Sequence, residues 1–261
     1  MNSNPITEEE AKKLAAGPLG KEFSKFPLLF AKAVFFGQRP SPKTATKIKN
    51  GTITLIDFGK GPIGLTCQHV IKGYREYKEN YEDVLFNIGH VELDPIDQLI
   101  DENDQIDLAT IELTEQQVKA ITSHCEIGSC VYNPSNWPPT PVKKGEFVAF
   151  GGFPGSLQTV KSFNELVFSS WSSGGSLVHS VSEYRFVSPF EREHWIKSFG
   201  EPHQMDLHEL GGMSGSPTFV FRGVAFEFVG VLYEYEDNFD TVIFTSAHPV
   251  KPDGTITSPI I

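Results

Sequence analysis

The chain has 261 residues, a formal net charge of −11 and a pI near 5.2, so its overall field disfavours nucleic acid and anionic membrane surfaces as partners. Phe accounts for 21 residues, Gly for 23 and Pro for 18, a balance that favours many short strands joined by turns. That length suits one large β domain or two small ones, either with a proper core.

The opening, MNSNPITEEEAKKLAAG, is polar and does not read as a secretory signal. Thr7 and Glu10 have the form of a capping box and Gly17 is a stop, which predicts a short helix over 8–16. The apolar run 26–36 is too short to span a bilayer and contains Pro27 and Lys32. It could pack on the body or dock a partner. Residues 1–45 therefore read as an N-terminal arm, and barrel-like patterning is expected to start near 46.

Residues 51–58 alternate as a strand does, 59–62 form a turn, and 63–66 make a second strand ending at Cys67-Gln68-His69-Val70. A histidine at such a strand end is well placed for chemistry, although a lone one there is more often a solvated loop residue. Charged, Tyr-rich 74–82 reads as a surface helix or loop, and strands follow near 84–88 and 90–93. The acidic stretch 94–104 reads as a solvated loop able to gate a cleft. Asp107 then stands at the mouth of an apolar strand, where a carboxylate needs a hydrogen-bonding partner such as a histidine. The first β unit is placed at 46–135, and Pro-rich 131–144 is the candidate linker. The second unit, 136–261, opens at Gly145 with strands near 166–171 and 177–187. A helical turn is expected near 190–199, and closing strands over 224–233 and 241–246. Three cysteines, Cys67, Cys125 and Cys130, show no C-x-x-C spacing and read as reduced thiols, which favours a cytoplasmic location. Cys67, two residues before His69, is the one placed for accidental reactivity.

Residues 209–219, ELGGMSGSPTF, hold a G-x-S-G-x-P pattern from Gly212 to Pro217. Glycines let the backbone turn sharply, so that consecutive N–H groups can face an oxyanion formed as Ser214 attacks. The plain alternative is a Gly/Ser turn between strands. His69, Asp107 and Ser214 come in the order His…Asp…Ser, and a nucleophilic serine needs a base and a group to orient it.

Thr66–Val70, Asp107-Leu108-Ala109 and Gly212–Pro217 resemble the T-x-x-H-[VC], D-[IL]-A and G-x-S-G-x-P segments of chymotrypsin-like (trypsin-fold) serine proteases. Residues 145–154 are similar to the opening of the second barrel in bacterial and HtrA-type members. The resemblance spans about 46–250. It implies an all-β fold of two antiparallel six-stranded β-barrels with the site between them. It implies Ser214 as nucleophile, His69 as general base, Asp107 as orienter, and the backbone N–H groups of Gly212 and Ser214 as oxyanion hole. It places the primary pocket floor at His208 and its wall at Tyr233, Glu234 and Tyr235. His208 could favour an acidic or polar side chain, Glu234 a basic one. Met213 stands where zymogen-derived members carry Asp, which disfavours activation by N-terminal cleavage. No PDZ-like domain is expected to follow.

The leading expectation is an intracellular serine endopeptidase acting on a protein or peptide, with no cofactor, no nucleic acid and no membrane partner. Residues 1–40 could dock a regulatory protein. A catalytically silent double-barrel binding module is the alternative. An esterase of the α/β-hydrolase type is disfavoured because it needs G-x-S-x-G and the order Ser…Asp…His. His203, Asp206 and His208 do not complete a metal-ligand set, so no metal is expected. Ser216 is a poor rival to Ser214.

Overall fold

The computed structural model describes residues 13, 17–39, 48–123, 130–162, 165–190, 210–223 and 225–257. Apart from Lys13 and Phe190, the expected 8–16 helix and 190–199 turn lie outside the described residues, as do His203, Asp206, His208 and Cys125.

Two antiparallel seven-stranded sheets dominate the molecule, as an all-β sequence pattern implies. The first contains β1 (Ala31–Gln38), β2 (Lys49–Asp57), β3 (Pro62–Thr66), β4 (Val84–Ile88), β5 (Val91–Glu92), β6 (Leu99–Asn103) and β7 (Leu108–Glu112), ordered β5-β4-β1-β2-β3-β7-β6. The second contains β8 (Phe147–Gly152), β11 (Trp171–Leu177), β12 (Ser180–Val181), β13 (Arg185–Pro189), β14 (Pro217–Arg222), β15 (Ala225–Glu236) and β16 (Thr241–Ser246). Its order is β11-β8-β14-β15-β16-β13-β12. A separate ribbon, β9 (Gln158–Ser162) with β10 (Glu165–Phe168), leaves between β8 and β11. The short helices are α1 (Pro18–Lys25), α2 (Gln68–Asn80) and α3 (Glu115–Thr122), the last closed by a capping box from Thr114 and Gln117.

Three expectations change. Seven strands rather than six form each sheet; β5 falls within the strand expected near 90–93 and β12 within that expected near 177–187, while β1 and β6 lie in segments expected as arm and loop. The first sheet starts at Ala31, and β1 is hydrogen-bonded between β2 and β4 rather than belonging to a detached arm. Its burial is nearly continuous, so the alternation that marks a one-sided strand is missing. The acidic stretch 94–104 is not simply a loop. Leu99–Asn103 pairs with β7, Asp94 is paired with Lys78, Glu102 with Arg75 (2.8 Å), and Asp101 Oδ2 accepts from the Ile256 N–H (2.8 Å). Those carboxylates hold structure in place.

The β2–β3 turn is closed by Asp57 Oδ1, which accepts from Gly59 N–H (2.7 Å) and Gly61 N–H (3.1 Å). Both glycines have positive φ, which explains the Gly-x-Gly spacing.

One core lies within the first sheet, around Ile53, Leu55, Leu65, Ile71 and Phe86, and a second around Phe150, Phe186, Val229 and Phe244. The aromatic segment after α1 packs on the body. Phe26 stacks on Phe226 at 4.3 Å and meets Phe219 edge-on at 5.1 Å. The Pro-rich 131–144 stretch is tied to both sheets. The Asp57 N–H donates to the Tyr132 carbonyl (2.9 Å), and Trp137 Nε1 donates to the Val250 carbonyl (2.7 Å).

Arg222 clasps the same stretch to the second sheet. Its guanidinium donates to both Glu146 oxygens at 2.8 Å, to the Thr140 carbonyl at 3.0 Å and to the Pro141 carbonyl at 3.1 Å. The Arg222 hydrogen bond holds Glu146 below the usual carboxylate range. Burial would raise Glu227, but the Thr140 N–H and Arg222 bring it below that range as well. Depressed carboxylate pKa values contribute stability that is complete above the unfolded value, about 4.3 for Glu, and lost as pH falls through the folded one. Arg222→Met is therefore expected to lower stability by about 2–4 kcal/mol at pH 7. The wild-type advantage should shrink as denaturant melts are taken from pH 5 to pH 3. A pH-independent difference would rule the clasp out as its origin.

Candidate active site

The β3 strand ends at Thr66, and the chain turns through Cys67 (φ −72°, ψ 141°) into helix α2, so His69 sits in its first turn. Cys67 supplies no side-chain cap, and the first N–H groups of a helix lack intrahelical partners. Asp107 fills one of these places from a distance of 38 residues. Its Oδ1 accepts from the His69 backbone N–H at 2.8 Å, while Oδ2 meets His69 Nδ1 at 2.7 Å. One carboxylate thus caps the helix and fixes the ring. Asp107 reaches this position with φ 58°, a left-handed conformation that Asp tolerates better than most residues. Its side chain is 8% exposed and that of His69 46%, so a buried carboxylate holds a half-exposed ring. Gln68 and Arg75 anchor the same helix to Glu102 on β6.

Ser214 lies in the tight turn before β14. Gly212 and Gly215 both have φ 92°, which a residue with a Cβ adopts only with strain. The Gly155 N–H donates to the Gly211 carbonyl (2.7 Å), and the Ser216 N–H donates to the Met213 carbonyl (2.9 Å). In a trans peptide the carbonyl and the following N–H point in opposite directions. These two bonds therefore set the directions of the Gly212 and Ser214 N–H groups. Among the described residues neither N–H has an acceptor. Two aimed and vacant donors can receive a developing oxyanion.

The Ser214 Oγ donates to the Tyr233 carbonyl at 3.3 Å, and among the described residues no hydrogen bond joins it to the His69 ring. Tyr233 also meets His69 edge-on, at 6.2 Å between ring centroids. Serine and histidine thus flank the same residue. Hydrogen bonds within an unliganded site are often long or differently paired from those in its working complex. Ser216 is fully buried, with an Oγ that has no hydrogen-bond partner among the described residues, so it cannot present a nucleophile.

On the expected pocket wall, Tyr233 is the extra residue of a β-bulge between Leu232 and Glu234. Bulges re-aim side chains beside functional sites. The Arg185 guanidinium covers its ring at 3.8 Å and also donates to Thr245 Oγ1. Burial, then the charge of Glu234, pushes the Tyr233 hydroxyl up, so it stays neutral. Glu234 is exposed, and Tyr235 is turned toward Asp240, to which its hydroxyl donates (2.6 Å). His208, the expected floor, lies outside the described residues.

Cys67, His69 and Asp107 form a cluster whose donor atoms lie within 4.8 Å of one another. The thiol is fully buried and donates to the Leu232 carbonyl (3.2 Å); burial, then the Asp107 charge, pushes it well above the usual thiol range. A buried neutral thiol beside an occupied His–Asp bond is a poor metal ligand. The same facts remove the expected reactivity of Cys67. Cys67 and Cys130 are free cysteines.

Sequence reading missed Asn50, Thr52, Thr54 and Arg185. Asn50, Thr52 and Thr54 alternate along β2 and touch the Ser214 loop and its neighbour Phe153. The signal was there in part, as threonines two apart in an otherwise apolar strand.

No protein-family model matches the chain, and no curated protein matches it. Among solved structures it is similar to a mutant form of the Tobacco Etch Virus protease. That match has 14% identity and TM-score 0.43, covering 82% of this chain and 72% of that one. It is also similar to a thermostable serine protease from an extremophilic microorganism, at 12% identity and TM-score 0.44, over 84% and 90% of the two chains. A scabies mite inactivated protease paralogue matches at 14% identity and TM-score 0.46, over 87% and 91%. No helix among the described residues is long and apolar enough to cross a membrane.

Proposed function

We propose that this chain is a chymotrypsin-type serine endopeptidase that cleaves a protein or peptide substrate in the cytoplasm. The observation that carries the reading is the Asp107 carboxylate, which grips His69 through both ring and backbone beside a serine flanked by two vacant N–H donors.

Ser214 Oγ, rotated toward His69, gives its proton to Nε2 as it bonds to the scissile carbonyl carbon. The carbonyl oxygen takes the negative charge and is received by the Gly212 and Ser214 N–H groups. Asp107 keeps the Nδ1 proton in place and stabilises the imidazolium without taking the proton itself. His69 then returns the proton to the leaving amine as the C–N bond breaks, leaving an acyl-serine. Water repeats the sequence with His69 as base and releases the acid. Glu234, exposed on the β15 wall, would favour a basic substrate side chain.

One observation favours the second reading, a silent binding module: Ser214 Oγ is bonded to Tyr233 rather than to His69. Labelling with a fluorophosphonate probe separates the two. Wild type and Ser216→Ala are expected to label, whereas Ser214→Ala and His69→Ala should lose at least 10³-fold in rate. Wild type that labels no faster than Ser214→Ala would count against an assembled triad and favour the binding module over a constitutively active enzyme.

A further inference from the structure

We infer that Thr52 is a positioning residue that holds the peptides on either side of the Ser214 oxyanion donor, Gly212–Met213 and Ser214–Gly215, and so steadies the oxyanion-binding loop, an inference that rests on the hydrolase reading above. Thr52 is fully buried at the contact between the two sheets and never faces a substrate. Four hydrogen bonds run through it. Its Oγ1 donates to the Gly212 carbonyl (2.9 Å) and accepts from the Phe153 N–H (3.2 Å). Its backbone N–H donates to the Ser214 carbonyl (2.9 Å), and its own carbonyl accepts from Thr66 Oγ1 (2.7 Å).

These partners are the parts the reaction needs in register. Gly212 and Ser214 carry the oxyanion donors, Phe153 leads to Gly155, which orients the Gly211–Gly212 peptide, and Thr66 is three residues before His69. One residue thus holds three groups of the second half: its hydroxyl holds the Gly212 carbonyl and the Phe153 N–H, and its backbone N–H holds the Ser214 carbonyl. The strand is itself held by the histidine-bearing segment. Two neighbours on the same face of β2 add to it. Thr54 Oγ1 donates to the Gly215 carbonyl (2.9 Å), and Asn50 Nδ2 to the Phe153 carbonyl (3.0 Å). The loop has little freedom to drift from this face. A Cβ on Gly215 would lie 2.1 Å from the Thr52 carbonyl oxygen.

The hydroxyl is the part of this hold that a side-chain substitution can remove with shape retained, so its removal is the informative change. Thr52→Val is expected to slow fluorophosphonate labelling about 10- to 100-fold, less than complete loss of an oxyanion donor. With p-nitrophenyl acetate, kcat should fall by about tenfold or more while KM changes by less than about threefold, because the N–H groups act on the transition state. Thr52→Ser should recover most of the loss. Thr110→Val is the control, since it deletes an equally buried hydroxyl bond, Thr110 Oγ1 to the Gly254 carbonyl (2.6 Å), away from the loop. It should soften the fold to a similar degree without slowing labelling.

Amide hydrogen exchange at Gly215 and Ser216 gives a readout independent of chemistry, and should quicken about tenfold in Thr52→Val and not in Thr110→Val. Should the valine variant not fold, Thr52→Ala takes its place. Labelling, kcat and exchange unchanged in the hydroxyl-free variant would overturn the assignment. If the wild type itself does not label, the hydrolase reading fails and the positioning role with it. The exchange data then decide separately whether Thr52 holds the loop.

Discussion

Replacing Asp107 by Asn is expected to reduce fluorophosphonate labelling and ester turnover by about 10⁴-fold while leaving the fold in place. The amide can still accept from the His69 backbone N–H, so the start of helix α2 keeps its cap. The bond at His69 Nδ1, 2.7 Å in the wild type, is where the change acts. An amide NH₂ facing Nδ1 demands an acceptor there, which moves the ring proton to Nε2 and takes away the site that should receive the serine proton. The measurement is a pair: labelling rate and thermal midpoint. A large loss in rate with a midpoint within a few degrees of wild type fits this account. Labelling within tenfold of wild type would mean that the His–Asp bond is structural only.

The second large effect concerns the loop backbone. Gly215→Ala is expected to cost about 2–5 kcal/mol and to abolish labelling. The cost combines about 1–2 kcal/mol for an alanine in a left-handed conformation with about 1–3 kcal/mol of overpacking. Gly215 has φ 92°, and its added Cβ would lie 2.1 Å from the Thr52 carbonyl oxygen, a backbone atom that cannot swing away. Gly59 is the built-in comparison. It has φ 90° with nothing within 4 Å of an added Cβ, so Gly59→Ala should show the conformational part alone. Urea melts of the two variants side by side separate strain from collision. Equal losses would show that the close approach of loop and β2 does not matter.

The candidate site was legible in its chemistry before it was legible in its geometry. His69, Asp107 and Ser214 each carry a local signature: a strand end, a carboxylate at the mouth of an apolar strand, and a serine between glycines. The β16 strand at Thr241–Ser246 and the β2–β3 hairpin could be read equally well, since alternation and turn glycines are local signals. The β1 strand could not, because burial on both faces erases the alternation and makes Ala31–Gln38 look like any apolar run. The β6 strand was hidden for the opposite reason: Leu99–Asn103 is half-buried and acidic, and only its pairing with β7 makes it a strand.

By itself, then, the sequence determined the residue types at the candidate site, their order, and the all-β character of the chain. The tertiary structure alone decided that Asp107 caps the helix of the histidine it orients, and that Arg185 covers the Tyr233 ring at the serine's side. It also decided that Thr52 binds Gly212 across 160 residues of chain. The physical reason is range. Backbone propensity and periodicity act over a few neighbours and are written into them. A hydrogen bond between distant segments depends on how two sheets pack, which no short stretch of the chain encodes.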